Sequence, residues 1–199
     1  MSRRLRVAVA EDEPDMQDFF RDALARMGHE VVSVARDGRE LVEHCRALRP
    51  DIVITDIRMS GMDGLDAAAK IYEDRPVPVV IVSAHHDPKF VERAEELHIL
   101  AYLVKPIRES NLAPAIAIAM RRFEEFQTLE READDLRQAL EDRKVIERAK
   151  GILMREARLD EEAAFRRLQK LASSKNRKLV EVACMIVEAA EALRPAEGE

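Results

Sequence analysis

Asp56 closes the short apolar run of residues 52–55, and turn residues follow within a few positions, from Met59 through Gly61 to Asp63-Gly64. A buried strand that ends in a carboxylate and then a loop sets that carboxylate at the rim of a sheet. In open α/β folds that rim is where ligands and reactions sit. One such residue means little, because many strands end in an Asp that only caps a turn. Other apolar runs, however, end in comparable groups. Residues 5–10 lead into Glu11 and Asp12, residues 79–82 into Ser83, and residues 101–104 into Lys105. Three carboxylates, one hydroxyl and one ammonium form a coherent set. Hard carboxylate oxygens are what Mg²⁺ takes, and such an ion would suppress the repulsion among Glu11, Asp12 and Asp56. Asp56 is then placed as a nucleophile toward phosphorus. Lys105 can neutralise phosphoryl oxygens and Ser83 can hydrogen-bond one of them.

The elements that must position these groups are legible as an alternation. Pro14 suits the first turn of a helix carrying Phe19, Phe20, Ala23, Leu24 and Met27, which Gly28 stops. Residues 31–35 read as a strand, Asp37-Gly38 as a turn and residues 41–48 as a helix before Arg49-Pro50. After Asp63-Gly64 a helix through Leu65, Ala68 and Ile71 runs until Pro76, and Asp87-Pro88 caps another through Val91, Ala94 and Leu97. A further helix starts near Ser110. Five strands alternating with five helices predict a doubly wound parallel sheet covered on both faces.

These residues resemble the receiver domain of two-component response regulators, a flavodoxin-like (CheY-like) fold. The resemblance is carried by Glu11-Asp12, Asp56, Met59-x-Gly61-Met62-Asp63-Gly64, Ser83-Ala84 and Lys105-Pro106. It implies that Asp56 is the phosphoacceptor, with a sensor histidine kinase as donor. It also implies Mg²⁺ on Glu11, Asp12, Asp56 and the backbone carbonyl of Arg58, Lys105 on the phosphoryl group, a cis Lys105-Pro106 bond, and Ser83 and Tyr102 as a switch pair. Ser60 departs from the proline usual in the family.

The second half carries no strand signal. Phe126, Leu129, Ala133, Leu136 and Leu140 alternate spacings of three and four, a narrow heptad seam that predicts a coiled coil and hence a homodimer. An intramolecular helical linker fits the same short pattern. Beyond it, Gly151 sits inside a helical stretch, where close approach of another backbone is the usual reason. Asp160 reads as a helix N-cap, and Asn176 as the cap of a last helix bearing Leu179, Val182, Ala183, Ile186 and Val187. The whole chain is acidic, at −6, yet Lys144 to Lys178 holds eleven basic side chains against five acidic ones. That local excess suits either a polyanion or a solvated helical face.

This region resembles an ANTAR domain, an RNA-binding antiterminator module often fused to receivers. The carrying residues are Ile146, Ala149-Lys150-Gly151, Leu153-Met154, Ala164-Phe165, Leu168, Ala172, Asn176, Leu179, Val182 and Ala183. The family recognises paired hairpins in nascent mRNA leaders and so prevents a terminator from forming. By that resemblance Ala149, Lys150 and Gly151 meet the RNA, and charge and position add Arg148, Arg155, Lys175, Arg177 and Lys178. The expected plan is a receiver over 1–122, a coiled-coil linker over 123–143, a three-helix ANTAR unit over 144–194 and a disordered tail over 195–199.

No apolar run approaches the ~20 residues that span a bilayer. The N-terminus does not read as a signal peptide, and Cys45 and Cys184 read as buried thiols in a reducing cytoplasm. Two other classes stay open. A haloacid-dehalogenase-type phosphatase would normally carry a second Asp two residues after its nucleophile, where Arg58 stands. A regulator acting through protein contacts would need no RNA, and a DNA-binding regulator would be distinguished by duplex DNA competition.

Overall fold

The computed structural model describes residues 3–84 and 99–192. The helix expected through Val91, Ala94 and Leu97 and the tail over 195–199 lie outside the described residues. The chain divides into two compact units, Met1–Gln127 and Thr128–Glu199.

The first unit runs β1 (Arg6–Ala10), α1 (Pro14–Arg26), β2 (Glu30–Ala35), α2 (Gly38–Leu48), β3 (Ile52–Asp56), α3 (Gly64–Asp74), β4 (Val79–Ser83) and β5 (Ala101–Val104). It continues into the start of α4 (Glu109–Glu156). The strands are parallel in the order β2-β1-β3-β4-β5. Both faces are buried, which is why β3 and β4 are apolar at nearly every position rather than alternating. One face packs Val53, Ile81, Leu41, Leu65 and Ile71 under α2 and α3. The other packs Ile52, Ile54, Phe20, Leu24, Leu112 and Ile116 under α1 and α4.

Local chemistry sets the boundaries. Pro14 opens α1, and Gly28 follows it at φ 81°. Asp37 caps α2 by accepting from Arg39 N–H at 2.7 Å and Glu40 N–H at 2.9 Å, and Asp63 caps α3 through Asp66 N–H. The helix after β5 is one continuous element of 48 residues that passes the division at Gln127 without a break.

In the second unit, α5 (Glu161–Lys175) and α6 (Leu179–Ala192) pack with the end of α4 around Ala149, Ile152, Leu168, Ala172, Val182, Ala183 and Val187. Asp160 is the N-cap of α5, accepting from Ala163 N–H at 2.7 Å. Asn176, expected to cap α6, instead ends α5 in the left-handed region at φ 49°, ψ 48°. Asn tolerates that conformation better than most residues because its short polar side chain bonds locally, so the same residue type serves the opposite end of a helix.

Phe126 also departs from expectation. It is half-buried and lines a crevice with Tyr72, Val77, Leu100 and Phe123 in the first unit, so the exposed seam begins at Leu129. Leu129, Leu136 and Leu140 are 63%, 67% and 59% exposed. Cys45 is buried as expected, whereas Cys184 is only partly covered.

Candidate functional site

The sheet register brings the strand-end groups to one edge. Ala10 pairs with Thr55, Asp56 with Val82 and Ser83 with Val104, so Glu11, Asp56, Ser83 and Lys105 follow on neighbouring rows. Glu11 and Ser83 are essentially inaccessible and Asp56 is 7% exposed, while Asp12 is open to solvent. Carboxylate oxygens of Glu11, Asp12 and Asp56 all lie within 4.8 Å of one another.

Lys105 Nζ sits 2.5 Å from Asp56 Oδ2 and 3.1 Å from Glu11 Oε1. Lys105-Pro106 is a cis bond. Burial opposes the charge on Lys105, but its hydrogen bonds to Asp56 and Glu11 outweigh that, and its pKa lies above the ordinary lysine value. Burial pushes the Glu11 carboxyl up, and Lys105 offsets this only in part. Glu11 Oε2 is ion-paired at 2.9 Å from the ammonium but is buried without a hydrogen bond of its own. A buried oxygen so placed beside two further carboxylates fits a hard divalent cation. The donor set is right for Mg²⁺.

Asp56 Oδ1 accepts from Arg58 N–H at 3.1 Å, which turns the loop back over the carboxylate. Two supporting residues carry no chemistry: Thr55 escaped the reading of the sequence, and Gly64 was read there only as part of the turn motif. Thr55 Oγ1 donates to the Asp56 carbonyl at 2.9 Å. Gly64 packs α3 so closely that an added Cβ would overlap the Asp56 carbonyl oxygen and lie 2.8 Å from Thr55 Oγ1. The strand-loop-helix spacing Asp56…Gly64 was the available signal. Ser83 is buried beside β5, its carbonyl accepting from Lys105 N–H, and Tyr102 is half-buried against the α2–α3 core.

The helical unit redistributes its expected contacts. Ala149 is fully buried in the core, which corrects the expectation that it meets RNA. Lys150 is 7% exposed and turned inward, with Nζ 2.7 Å from Glu161 Oε1 and 3.0 Å from both Glu147 oxygens. It also lies 5.9 Å from the Phe165 ring centroid. Its donated hydrogen bonds to Glu161 and then Glu147 raise its pKa, and the Glu161 carboxyl is lowered in return. Lys150 therefore fastens α4 to the first turn of α5, and its ammonium is not offered to a ligand. Glu147 was visible as a neighbour three residues away on the helix, whereas Glu161 comes from the next helix. Among the described residues Gly151 has nothing within 4 Å of an added Cβ, so none of their backbone approaches it closely and the expected reason for that glycine finds no support there.

Among the remaining expected contacts, Arg148 pairs with Glu191 on α6. Arg155, Lys175, Arg177 and Lys178 are exposed. Arg177 touches the Met185 sulfur at 3.6 Å, and none of these four has a carboxylate partner among the described residues.

Comparison with known proteins agrees with this geometry. The family described as "Response regulator receiver domain" matches residues 7–117, and that described as "ANTAR domain" matches residues 134–187. "Transcriptional regulatory protein PdtaR" of Mycobacterium tuberculosis is 40% identical over 183 residues, covering 92% of this chain and 89% of that protein. "Chemotaxis protein CheY" of Thermotoga maritima is 33% identical over 112 residues, covering 56% of this chain and 93% of that one. The crystal structure of a signal receiver domain of a diguanylate cyclase from Desulfovibrio desulfuricans superposes with a TM-score of 0.58 at 28% identity, covering 61% of this chain and 98% of that one. With the strand-end site in the first unit and a helical unit following it in sequence, the chain belongs to the response regulators that join a receiver domain to a C-terminal ANTAR domain.

Proposed function

We propose that this protein is a phosphorylation-controlled RNA-binding antiterminator. One observation carries the reading. A carboxylate–ammonium site suited to a phosphoryl group shares a chain with a helical unit whose exposed cations Arg155, Lys175, Arg177 and Lys178 lack carboxylate partners among the described residues.

A sensor histidine kinase is the donor. An Asp56 oxygen forms the new O–P bond as the P–N bond to the donor imidazole breaks, and that electron pair stays on the nitrogen. Glu11, Asp12, Asp56 and the Arg58 carbonyl would hold Mg²⁺, which screens their mutual repulsion and the charge of the phosphoryl oxygens. Lys105, already on Asp56, moves its pairing to a phosphoryl oxygen. Ser83 donates a hydrogen bond to another, and Tyr102 follows it inward as the switch. The chain turns over no external substrate.

Two copies pair through Leu129, Ala133, Leu136 and Leu140, whose exposure along a single helix supports a partner helix of the same kind. The seam lies within the proposed linker over 123–143, between a receiver over 1–122 and an ANTAR unit over 144–194, in a cytoplasmic protein. Each ANTAR unit takes one hairpin of an mRNA leader, and bivalence converts weak single contacts into specific binding. Lys175, Arg177 and Lys178 at the α5–α6 turn, with Arg155 and the open flank at Gly151, contact RNA. Lys150 positions them by holding α4 to α5.

The test is binding to RNA with two tandem hairpins, with and without a small phosphodonor plus Mg²⁺. Tighter binding on phosphorylation, lost in Asp56→Asn and reduced to single-hairpin affinity in Leu136→Asp, supports the mechanism. Equal affinity for duplex DNA, or no RNA binding in either state, overturns it.

A further inference from the structure

At the end of the first unit opposite to Asp56, α2 and α3 finish side by side over a hollow of about 300 Å³. Its floor is apolar and well covered: Val42, Cys45, Ile71 and Val77 are between 4% and 8% exposed. Its rim is cationic, with Arg46, Arg49 and Arg75 against the single carboxylate of Asp74. That carboxylate is taken by Arg46, whose Nε lies 3.1 Å from Asp74 Oδ2. The side chains of Arg49 and Arg75 have no carboxylate partner among the described residues. Two uncompensated guanidiniums thus border an apolar hollow on a chain whose net charge is −6.

Cations at helix C-termini complement the helix dipole, and both arginines follow directly on helix ends. That role needs only nearness to the last carbonyls. It leaves the planar donor fork of each guanidinium unfilled, and such a fork matches a carboxylate, sulfonate or phosphate edge to edge. Nor does it account for a concave floor of buried Val42, Ile71 and Val77. A hollow of this size, with an apolar floor and a charged rim, has the make-up of a pocket for a small amphipathic ligand. Burial pushes the Cys45 thiol up to about 12, so the floor is unreactive and any occupant is held without a covalent bond.

We infer that this hollow binds a small organic anion. Its anionic group sits between Arg49 and Arg75, and its apolar body lies on Val42, Ile71 and Val77. The site is separate from Asp56 and from the RNA surface, so it stands or falls without them.

The probe is 1-anilinonaphthalene-8-sulfonate, an aromatic sulfonate, titrated by fluorescence into the full-length protein. Saturable binding is expected, weakened at least tenfold in the double variant Arg49→Gln/Arg75→Gln. The same charge change at Arg121→Gln/Arg122→Gln, on α4, leaves it unchanged. All four positions are exposed, so folding is preserved and is checked by circular dichroism. The uncharged N-phenyl-1-naphthylamine binds weakly and does not distinguish the variants. Isoleucine-methyl NMR places the sulfonate by shifting Ile71 and not Ile116, which lines a second apolar hollow with Met27 and Met120. Undiminished affinity in Arg49→Gln/Arg75→Gln, or a shift at Ile116 alone, overturns the proposal.

Discussion

The two units place their charged groups by different physics. At the strand edge of the receiver, register does the work. Once β1, β3, β4 and β5 pair in parallel, Glu11, Asp56, Ser83 and Lys105 have no choice but to converge. Burial then makes their interactions strong, because Glu11 and Lys105 titrate against low-dielectric surroundings as well as each other. In the helical unit no ladder fixes which side a residue faces. Lys150, the cation of its most recognisable motif, is consumed internally by Glu147 and Glu161, while less distinctive neighbours such as Lys175 stay in solvent. A sheet edge therefore converts sequence order into a site, and a helical bundle does so only after packing has chosen the faces.

The glycines break this comparison most forcefully. Gly64→Ala puts a Cβ onto the rigid backbone of Asp56 and should destabilise the receiver by about 3 kcal/mol. It should also slow labelling of Asp56 by a phosphodonor, because the carboxylate must move with its carbonyl. Gly151→Ala meets open space and should stabilise its helix by about 1 kcal/mol. Urea unfolding with intact-mass detection of the phosphoprotein reads both. Equal stability for Gly64→Ala and the wild type would show that α3 can shift away from β3 without cost.

Much of the receiver was legible because each strand ends in a residue type with a job and each helix opens on a turn residue. The sheet, its five strands and the convergence of Asp56, the acidic pair and Lys105 follow from that pattern, whereas the cis Lys105-Pro106 bond was implied by the resemblance to receiver domains. What supports the chemistry without taking part in it did not show. The hydroxyl of Thr55 looks like any strand residue, and only contact across the fold reveals why position 64 has no side chain. The heptad seam was legible from Leu129 onward, whereas Phe126 fits its spacing but answers to Tyr72 and Val77, residues distant in sequence. Asn176 misled for a related reason, since the same side chain suits either end of a helix and only the backbone dihedral decides.

A milder pair of substitutions sharpens the contrast between buried and exposed cations. Lys150→Met keeps the length of the side chain but leaves Glu147 and Glu161 facing each other without a counter-charge. It should lower the melting temperature of the helical unit and weaken RNA binding together. Lys175→Glu, on the surface, should weaken RNA binding and flatten its dependence on salt while leaving the melting temperature unchanged. Filter binding across a salt series, beside circular dichroism melts, separates the two. If Lys150→Met melted like the wild type while losing RNA, Lys150 would be a direct contact after all.

The smallest effect expected is a pH dependence of that same clasp, and its sign follows from the two shifts. The Glu161 carboxyl is held below its ordinary 4.5 by the hydrogen bond and charge of Lys150. Its contribution to stability is therefore complete above 4.5 and is lost as pH falls through the lowered folded-state value. Lys150 is held above its ordinary 10.5, so its contribution is complete below that value and disappears only as pH rises through the raised one. Between the two limits the clasp is constant. Glu161 is 72% exposed and well screened, so the effect is small and must be read as a difference. Glu161→Gln supplies it, because Gln keeps the shape and removes the charge. The melting temperature of the wild type should exceed that of Glu161→Gln by a constant margin near neutral pH, and the margin should close as pH falls below 4.5 and through the lowered folded-state value. Comparing the two chains cancels the acid response of Glu11 and the other receiver carboxylates, which both share. A margin that persisted undiminished in acid would mean that Glu161 holds the α4–α5 junction by packing and not by charge, and Lys150 would lose its role as the clasp between them.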